Sequence, residues 1–303
     1  MTENNNLSNS SDSVAACCAQ FYEQDIVQEL LGGSYHPGGE NLSQTLVKSL
    51  KLNPGQSILD VACGVGTTTR MMATDFGSLA TGLDFSQINV NKATQLSSAD
   101  ATKNTGGNGE LPIADQQACC APGDPCCEPE QSVSTVPFGA LNFVHGSADS
   151  LPFEDTSFDG LICECAVSTF ADQPKVASEF FRVIKPGGVF GMTDMVVNGE
   201  LPAEFAEKVA PWTCMAKALT SAGYDQLFSQ AGFELIDNQD HSHTLLEMAT
   251  DIKRKLVMAG VGKALGAIGS LGMSLSEMRA MLSQATDLVR AETVQYRLLT
   301  FRR

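Results

Sequence analysis

Basic residues, histidine and long apolar runs are all scarce in this chain of 303 residues. Lys and Arg number 19 against 35 Asp and Glu, a formal net charge of −16. A surface that acidic repels phosphate backbones and anionic bilayers, which argues against nucleic acid as a substrate and against membrane as a partner. No run approaches the ~18 apolar residues of a spanning helix. Residues 1–13 are polar, without the basic and apolar blocks of a targeting segment. The expectation is a cytoplasmic protein. Its 43% hydrophobic content supports a sizeable core, in one large domain or two small ones. Ten cysteines in such a protein argue against a disulfide framework and for thiol chemistry or soft-metal ligation.

Apolar stretches alternate between the periods of strand and helix. Residues 1–14 are rich in Asn and Ser and read as a disordered tail. Helical patterns cover Ala15–Leu31 and Glu40–Leu50. A strand over 57–62 precedes a helix over 67–76, and a strand over 79–84 precedes a helix over 86–97. Strands at 141–145 and 158–164 follow, then a helix at 173–184 and a strand at 189–195. Helical segments come next near 202–219 and 223–231, before a strand near 233–238. A helical segment, 241–291, precedes a last strand, Thr293–Phe301, which reads as an edge. This succession predicts an α/β fold with a doubly wound, mostly parallel sheet inside one domain, 15–303. Residues 98–138 interrupt it as a long insertion loop containing Cys119, Cys120, Cys126 and Cys127.

The first strand runs straight into Asp60-Val61-Ala62-Cys63-Gly64-Val65-Gly66 and then a helix. Small residues let the backbone turn sharply and approach a ligand, and the N–H groups of the next helix point towards it. The second strand ends in Asp84, a carboxylate suited to a ribose diol. Together these features predict a nucleoside-type pocket.

Asp60-x-x-x-Gly64-x-Gly66, Asp84 and Lys185-Pro186-Gly187-Gly188, in that order and spacing, resemble the class I S-adenosylmethionine-dependent methyltransferases. Gly146–Phe153 is similar to the segment that covers the adenine in that family. The resemblance implies a Rossmann-like fold and S-adenosylmethionine as cofactor. It assigns the donor to Tyr35, Asp60, Ala62, Gly64, Gly66, Asp84, Phe85, Ser147, Ala148, Asp149 and Glu164. Ala62 stands where the family often has glycine, a difference that takes up little room. Ser147 stands where an Asp commonly meets the adenine amine, which transfers that contact to Asp149 or to backbone groups. The third glycine of a nicotinamide-binding turn is absent.

The acceptor is read from the end of the fourth strand, where Cys163-Glu164-Cys165 replaces a polar run. The segment 159–176 resembles the corresponding region of arsenite methyltransferases, with Cys165 at the position of an active-site cysteine. The segment 211–219 resembles the helical segment that brings their second arsenic-binding cysteine, here Cys214. That likeness implies a thiol-bound metalloid substrate, cellular thiols as reductant, and Cys165 and Cys214 as catalytic ligands. Cys119 and Cys120 are candidates for further soft-metal ligation, with Cys17 and Cys18 as other thiols. Trivalent arsenic is thiophilic and its lone pair is itself a nucleophile, so no base is needed, consistent with only four histidines.

Other readings stand beside this one. Cys63 and Cys163 read as small packing residues. Tyr35 and His36 read as a lid over the methionine end of the donor, with His36 alternatively a base. The acceptor is alternatively an organic small molecule, or the protein a non-catalytic binder of soft metal.

Overall fold

The computed structural model describes residues 36–105, 140–208, 214–215, 217–258 and 274–303. The expected tail, the helix over Ala15–Leu31, Tyr35, and the cysteines at 17, 18, 119, 120, 126 and 127 lie outside these residues.

The sheet grows outward from β1 (Ser57–Val61), whose side chains are buried at Ile58 through Val61 because elements pack on both of its faces. β2 (Leu79–Asp84) and β3 (Leu141–His145) lie parallel on one side of it. β4 (Phe158–Glu164) and β5 (Ile184–Val197) lie parallel on the other. With β6 (Glu234–Asp240) and β7 (Val294–Arg302) the sheet has seven strands in the order β3-β2-β1-β4-β5-β7-β6. It is the mixed, Rossmann-like α/β sheet that the alternation predicts.

On one face α1 (Gly39–Ser49) and α2 (Thr67–Asp75) bury Leu42, Leu46, Val47, Met71 and Met72 against Tyr296 and Leu298. On the other, α4 (Gln173–Val183) and α6 (Ser221–Ala231) bring Phe180 and Phe228 against Phe190 and Phe301. The remaining described helices are α3 (Gln87–Thr105), α5 (Ala203–Lys208), α7 (His243–Met258) and α8 (Leu275–Arg290). α8 starts on a capping box, in which Ser274 accepts the Glu277 N–H while the Glu277 side chain accepts the Ser274 N–H.

Four sequence expectations need correction. β7 is an interior strand, antiparallel to both β5 and β6. Its Tyr296, Leu298, Leu299 and Phe301 are fully buried, so both of its faces need cover. The edge is β6, largely exposed and carrying Glu234, Asp237 and Asp240, charges that discourage addition of another strand. α3 continues past 97 to Thr105, because no glycine or proline interrupts the chain before Gly106. β5 begins at Ile184, with Lys185–Gly188 bulged between the Phe158–Ile184 and Gly160–Val189 pairs. Of the helix expected over 202–219, Ala203–Lys208 is helical, residues 209–213 lie outside the described residues, and Cys214 lies in a turn at φ 58°.

β5 runs through the core with a carboxylate in its middle. Asp194 is fully buried and accepts the Ser168 hydroxyl at 2.6 Å, the Ser168 N–H at 2.8 Å and the Met195 N–H at 2.7 Å. These bonds hold the 3₁₀ turn Val167–Thr169 that follows β4. Burial pushes the Asp194 pKa up to about 7, against the opposing pull of those hydrogen bonds. The folded protein therefore holds this proton more tightly than the unfolded chain. The resulting stability is complete below the ordinary carboxyl range near pH ~4 and is lost as pH rises through about 7. Asp194→Asn is expected to lower stability by about 1–3 kcal/mol by disrupting buried hydrogen bonds. It should also flatten the fall in melting temperature between pH 5 and 8. Thermal melts across that range test this, and an unchanged slope would refute it.

Candidate functional site

β1 ends in a chain reversal built from left-handed residues. Ala62, Gly64 and Gly66 have φ of 63°, 56° and 74°. At Gly66 a Cβ would lie 2.4 Å from the Phe143 ring, so only glycine lets α2 start this close to β3. The departure at Ala62 is conformational as well as a matter of room. A left-handed alanine costs roughly 1–2 kcal/mol, which the surrounding packing must offset.

The turn is tied to the next strand by Asp84. Its Oδ2 accepts the Gly64 N–H at 2.8 Å, and its Oδ1 accepts the Ser86 N–H at 2.9 Å and the Asn89 side-chain amide at 3.2 Å. The carboxylate is thereby held at the carboxyl edge of the sheet, where open α/β sheets bind ligands. Asp60 lies deeper. Its Oδ2 accepts the Thr69 hydroxyl at 2.6 Å, pinning α2 to β1. Burial pushes its pKa up to about 8, against the Thr69 hydrogen bond and with Glu164 and Asp84 adding repulsion. Asp60 thus acts on the site mainly by fixing the helix that follows the turn.

Glu164 is the third carboxylate of this group. Both of its oxygens accept from the Ser43 hydroxyl, at 3.1 and 2.9 Å, and its Oε2 lies 3.4 Å from His36 Nε2. His36 Nε2 also lies 3.1 Å from Ser43 Oγ, and Thr68 donates to that oxygen at 3.2 Å. The His36 and Glu164 side chains are 12% and 7% exposed, which makes this a nearly dry contact joining α1, α2 and β4.

Beyond β3 the chain folds beside Asp84. Gly146 N–H donates to the Asp84 carbonyl at 3.1 Å, Ala148 is buried, and Ser147 donates to Asp149 Oδ1 at 2.6 Å. Phe85, directly after Asp84, leaves its ring 56% exposed, and Ile88 is 52% exposed. An open apolar ring next to a ribose-type carboxylate is a stacking surface for a base.

Cys165 and Cys214 come together. Both belong to one core cluster, and the neighbouring Cys214 thiol, followed by burial, raises the Cys165 pKa well above its ordinary value. Both residues are left-handed, with φ of 52° and 58°. Cys165 donates its N–H to the Thr193 carbonyl at 2.7 Å, and the Tyr296 hydroxyl also reaches its thiol. Cys163 is fully buried in the opposite-face core, a packing residue, and burial raises its pKa. Cys63 is also shielded, and burial raises its pKa. Among the described residues, no group of three His, Cys, Asp or Glu side chains is arranged to hold a metal ion. Cys119 and Cys120, and Tyr35 of the donor set, lie outside those residues.

Ser43, Thr68, Thr69 and Asp194 were not among the sequence candidates. Two of them carried a legible signal. Ser43 is a hydroxyl on the apolar face of α1 between Leu42 and Leu46, and Asp194 is a charge within an apolar strand. The two threonines look like ordinary first-turn residues of a helix, and their partners lie on other elements.

Residues 135–260 match a family described as a methyltransferase domain. An O-methyltransferase of Penicillium expansum is 24% identical over 290 residues, covering 89% of this chain and 88% of its own. The cyclopropane synthase MmaA2 of Mycobacterium tuberculosis superimposes with a TM-score of 0.71 at 16% identity, over 99% of this chain and 100% of its own. A phosphoethanolamine N-methyltransferase 2 of Haemonchus contortus, solved with S-adenosyl-L-methionine, gives 0.68 at 16% identity, over 96% of this chain and 60% of its own.

The turn should respond oppositely to two substitutions. Gly66→Ala is expected to destabilise by about 2–4 kcal/mol, through left-handed strain and the clash with Phe143. Ala62→Gly is expected to stabilise by about 0.5–1 kcal/mol. Urea denaturation measures both, and a destabilised Ala62→Gly would contradict the strain at that residue.

Proposed function

We propose that this chain is a class I S-adenosylmethionine-dependent methyltransferase and that it methylates an organic small molecule. The observation that carries the reading is the turn at the sheet edge, in which Asp84 is held by the glycine-turn N–H next to the exposed Phe85. The residues present fit the donor. The Asp84 carboxylate, at the end of β2, is an acceptor of the kind a ribose hydroxyl needs, and Phe85 offers a face to the purine. Glu164 and Asp84, both near Asp60, suit the donor's positive groups.

When bound, S-adenosylmethionine supplies a methyl group on a positively charged sulfur. The chain's own task is to hold an acceptor in line with it and to keep water away. A hydroxyl acceptor also needs a base, and the His36 ring, oriented by Ser43 and Glu164, supplies one. The relatives named above carry out O-methylation, phosphoethanolamine N-methylation and cyclopropane synthesis, which favours a carbon-based acceptor over a metalloid.

One observation favours a second reading. The contact between Cys165 and Cys214 is the start of a chelate for thiol-bound trivalent arsenic, with cellular thiols as reductant. Against it stands the raised pKa of Cys165, since soft metals bind the deprotonated thiolate.

Calorimetry with S-adenosylmethionine tests the donor site, and no measurable affinity would sink both readings in favour of a non-catalytic protein. Release of S-adenosylhomocysteine against a panel of phenols, alcohols and amines, and against As(III) with glutathione, separates the acceptors. Organic turnover should survive Cys165→Ser and Cys214→Ser largely intact, whereas formation of methylarsenicals should vanish in both. For a hydroxyl acceptor, His36→Gln should lower kcat at least about 100-fold, the typical scale of a lost general base, with donor affinity unchanged.

A further inference from the structure

The last turn of α4 grips a loop that it does not itself belong to. Arg182 pairs with Glu179 through two parallel bonds, Nε to Oε1 at 2.7 Å and Nη2 to Oε2 at 2.8 Å. The same guanidinium donates to the Leu151 carbonyl at 3.0 Å, the Phe153 carbonyl at 2.7 Å and the Asp155 carboxylate at 2.9 Å. Glu179 Oε2 in turn accepts the Leu151 N–H at 2.7 Å. Both backbone groups of Leu151 are thus held by one ion-paired couple from a neighbouring helix. The Glu179 contact comes first among the causes that raise the Arg182 pKa above its ordinary value, and Arg182 in turn holds Glu179 low. The side chains of Arg182 and Glu179 are 29% and 18% exposed, so solvent screens the pair only partly.

Leu151 and Ala148 are buried feet of the stretch 146–153, which leaves β3 beside Asp84 and Phe85. A loop with few regular bonds of its own depends on such outside anchors for a single conformation. Only arginine offers this planar fork, because lysine presents one point charge. We infer that Arg182 and Glu179 are positioning residues for the donor's purine: by clamping Leu151 and Phe153 they fix the stretch that leaves β3 beside Asp84. The inference rests on the donor site proposed above.

Calorimetry with two probes tests it, S-adenosylhomocysteine and 5′-methylthioadenosine, the second keeping the adenine but lacking the amino-acid end. Arg182→Lys is expected to raise the Kd of both by the same factor, about tenfold. Glu179→Gln, which keeps an acceptor for the Leu151 N–H, should give a smaller rise and remains informative if Arg182→Lys fails to fold. Asp159→Asn is the structural control. Asp159 binds Ser57 and Lys185 at the opposite end of β4, and its variant should lose stability without losing either probe. Wild-type affinity in both clamp variants overturns the inference. So does a loss confined to S-adenosylhomocysteine, or an equal loss in Asp159→Asn. If the wild-type protein binds neither probe, the donor site itself fails, a separate result.

Discussion

The hydrogen bond from the Gly64 N–H to the Asp84 carboxylate closes the gap between the ends of β1 and β2, and the rest of the site is assembled around it. Its strength comes from a charged acceptor in a shielded place, where such bonds exceed neutral ones. It forms only because the chain turns left-handed at Ala62, Gly64 and Gly66. The Cys63 N–H reaches the Leu83 carbonyl at 3.0 Å and reinforces the junction. Through the other oxygen of Asp84 the same carboxylate organises the start of α3, while Asp60 and Thr69 secure the start of α2. Two helix N-termini, a carboxylate and an open aromatic ring thus converge within a few residues of one turn.

Electrostatics set the acidic group around Asp84 apart from the thiols at Cys165 and Cys214. Asp60, Asp84 and Glu164 repel one another strongly enough to contribute to the raised Asp60 pKa, although burial is the larger cause. Such a grouping favours positive charge nearby. The acidic chain as a whole acts in the same sense, attracting cations and repelling phosphate. Asp194 sits apart from that cluster, and its hydrogen bonds shape the turn that follows β4 and Cys165.

At the two thiols the backbone is strained. Cys165 and Cys214 both occupy the left-handed region that non-glycine residues avoid, and each is held there by its surroundings. Thr193 of β5 receives the Cys165 N–H, and Tyr296 of β7 donates to the Thr193 hydroxyl at 3.0 Å. The segment between β6 and β7 also leaves and returns at the carboxyl edge, since Asp240 pairs with Arg297 and Val197 with Val294. Thr244, at the start of α7, consequently lies against Gly38, near His36. The surroundings of Cys165 and His36 therefore come from elements far apart in the chain, whereas those of Asp84 come largely from short strand-to-helix turns.

The amino-acid sequence by itself determined the alternation of strands and helices, the glycine turn and the acid at the end of β2. Each is a local pattern, set by side-chain period or by the need for a small residue at a sharp bend. Even Cys165 and Cys214 were legible as candidates, though not their left-handed backbone. Only the tertiary structure decided that β7 lies inside the sheet, that α3 outruns its apolar pattern, and that Cys214 sits in a turn. It alone brought Ser43 and His36 to Glu164, and Arg182 with Glu179 to Leu151. Those contacts join residues up to 128 positions apart, His36 and Glu164 the most distant of them. No local pattern encodes such pairs, because their partners meet only after the sheet has packed its helices on both faces.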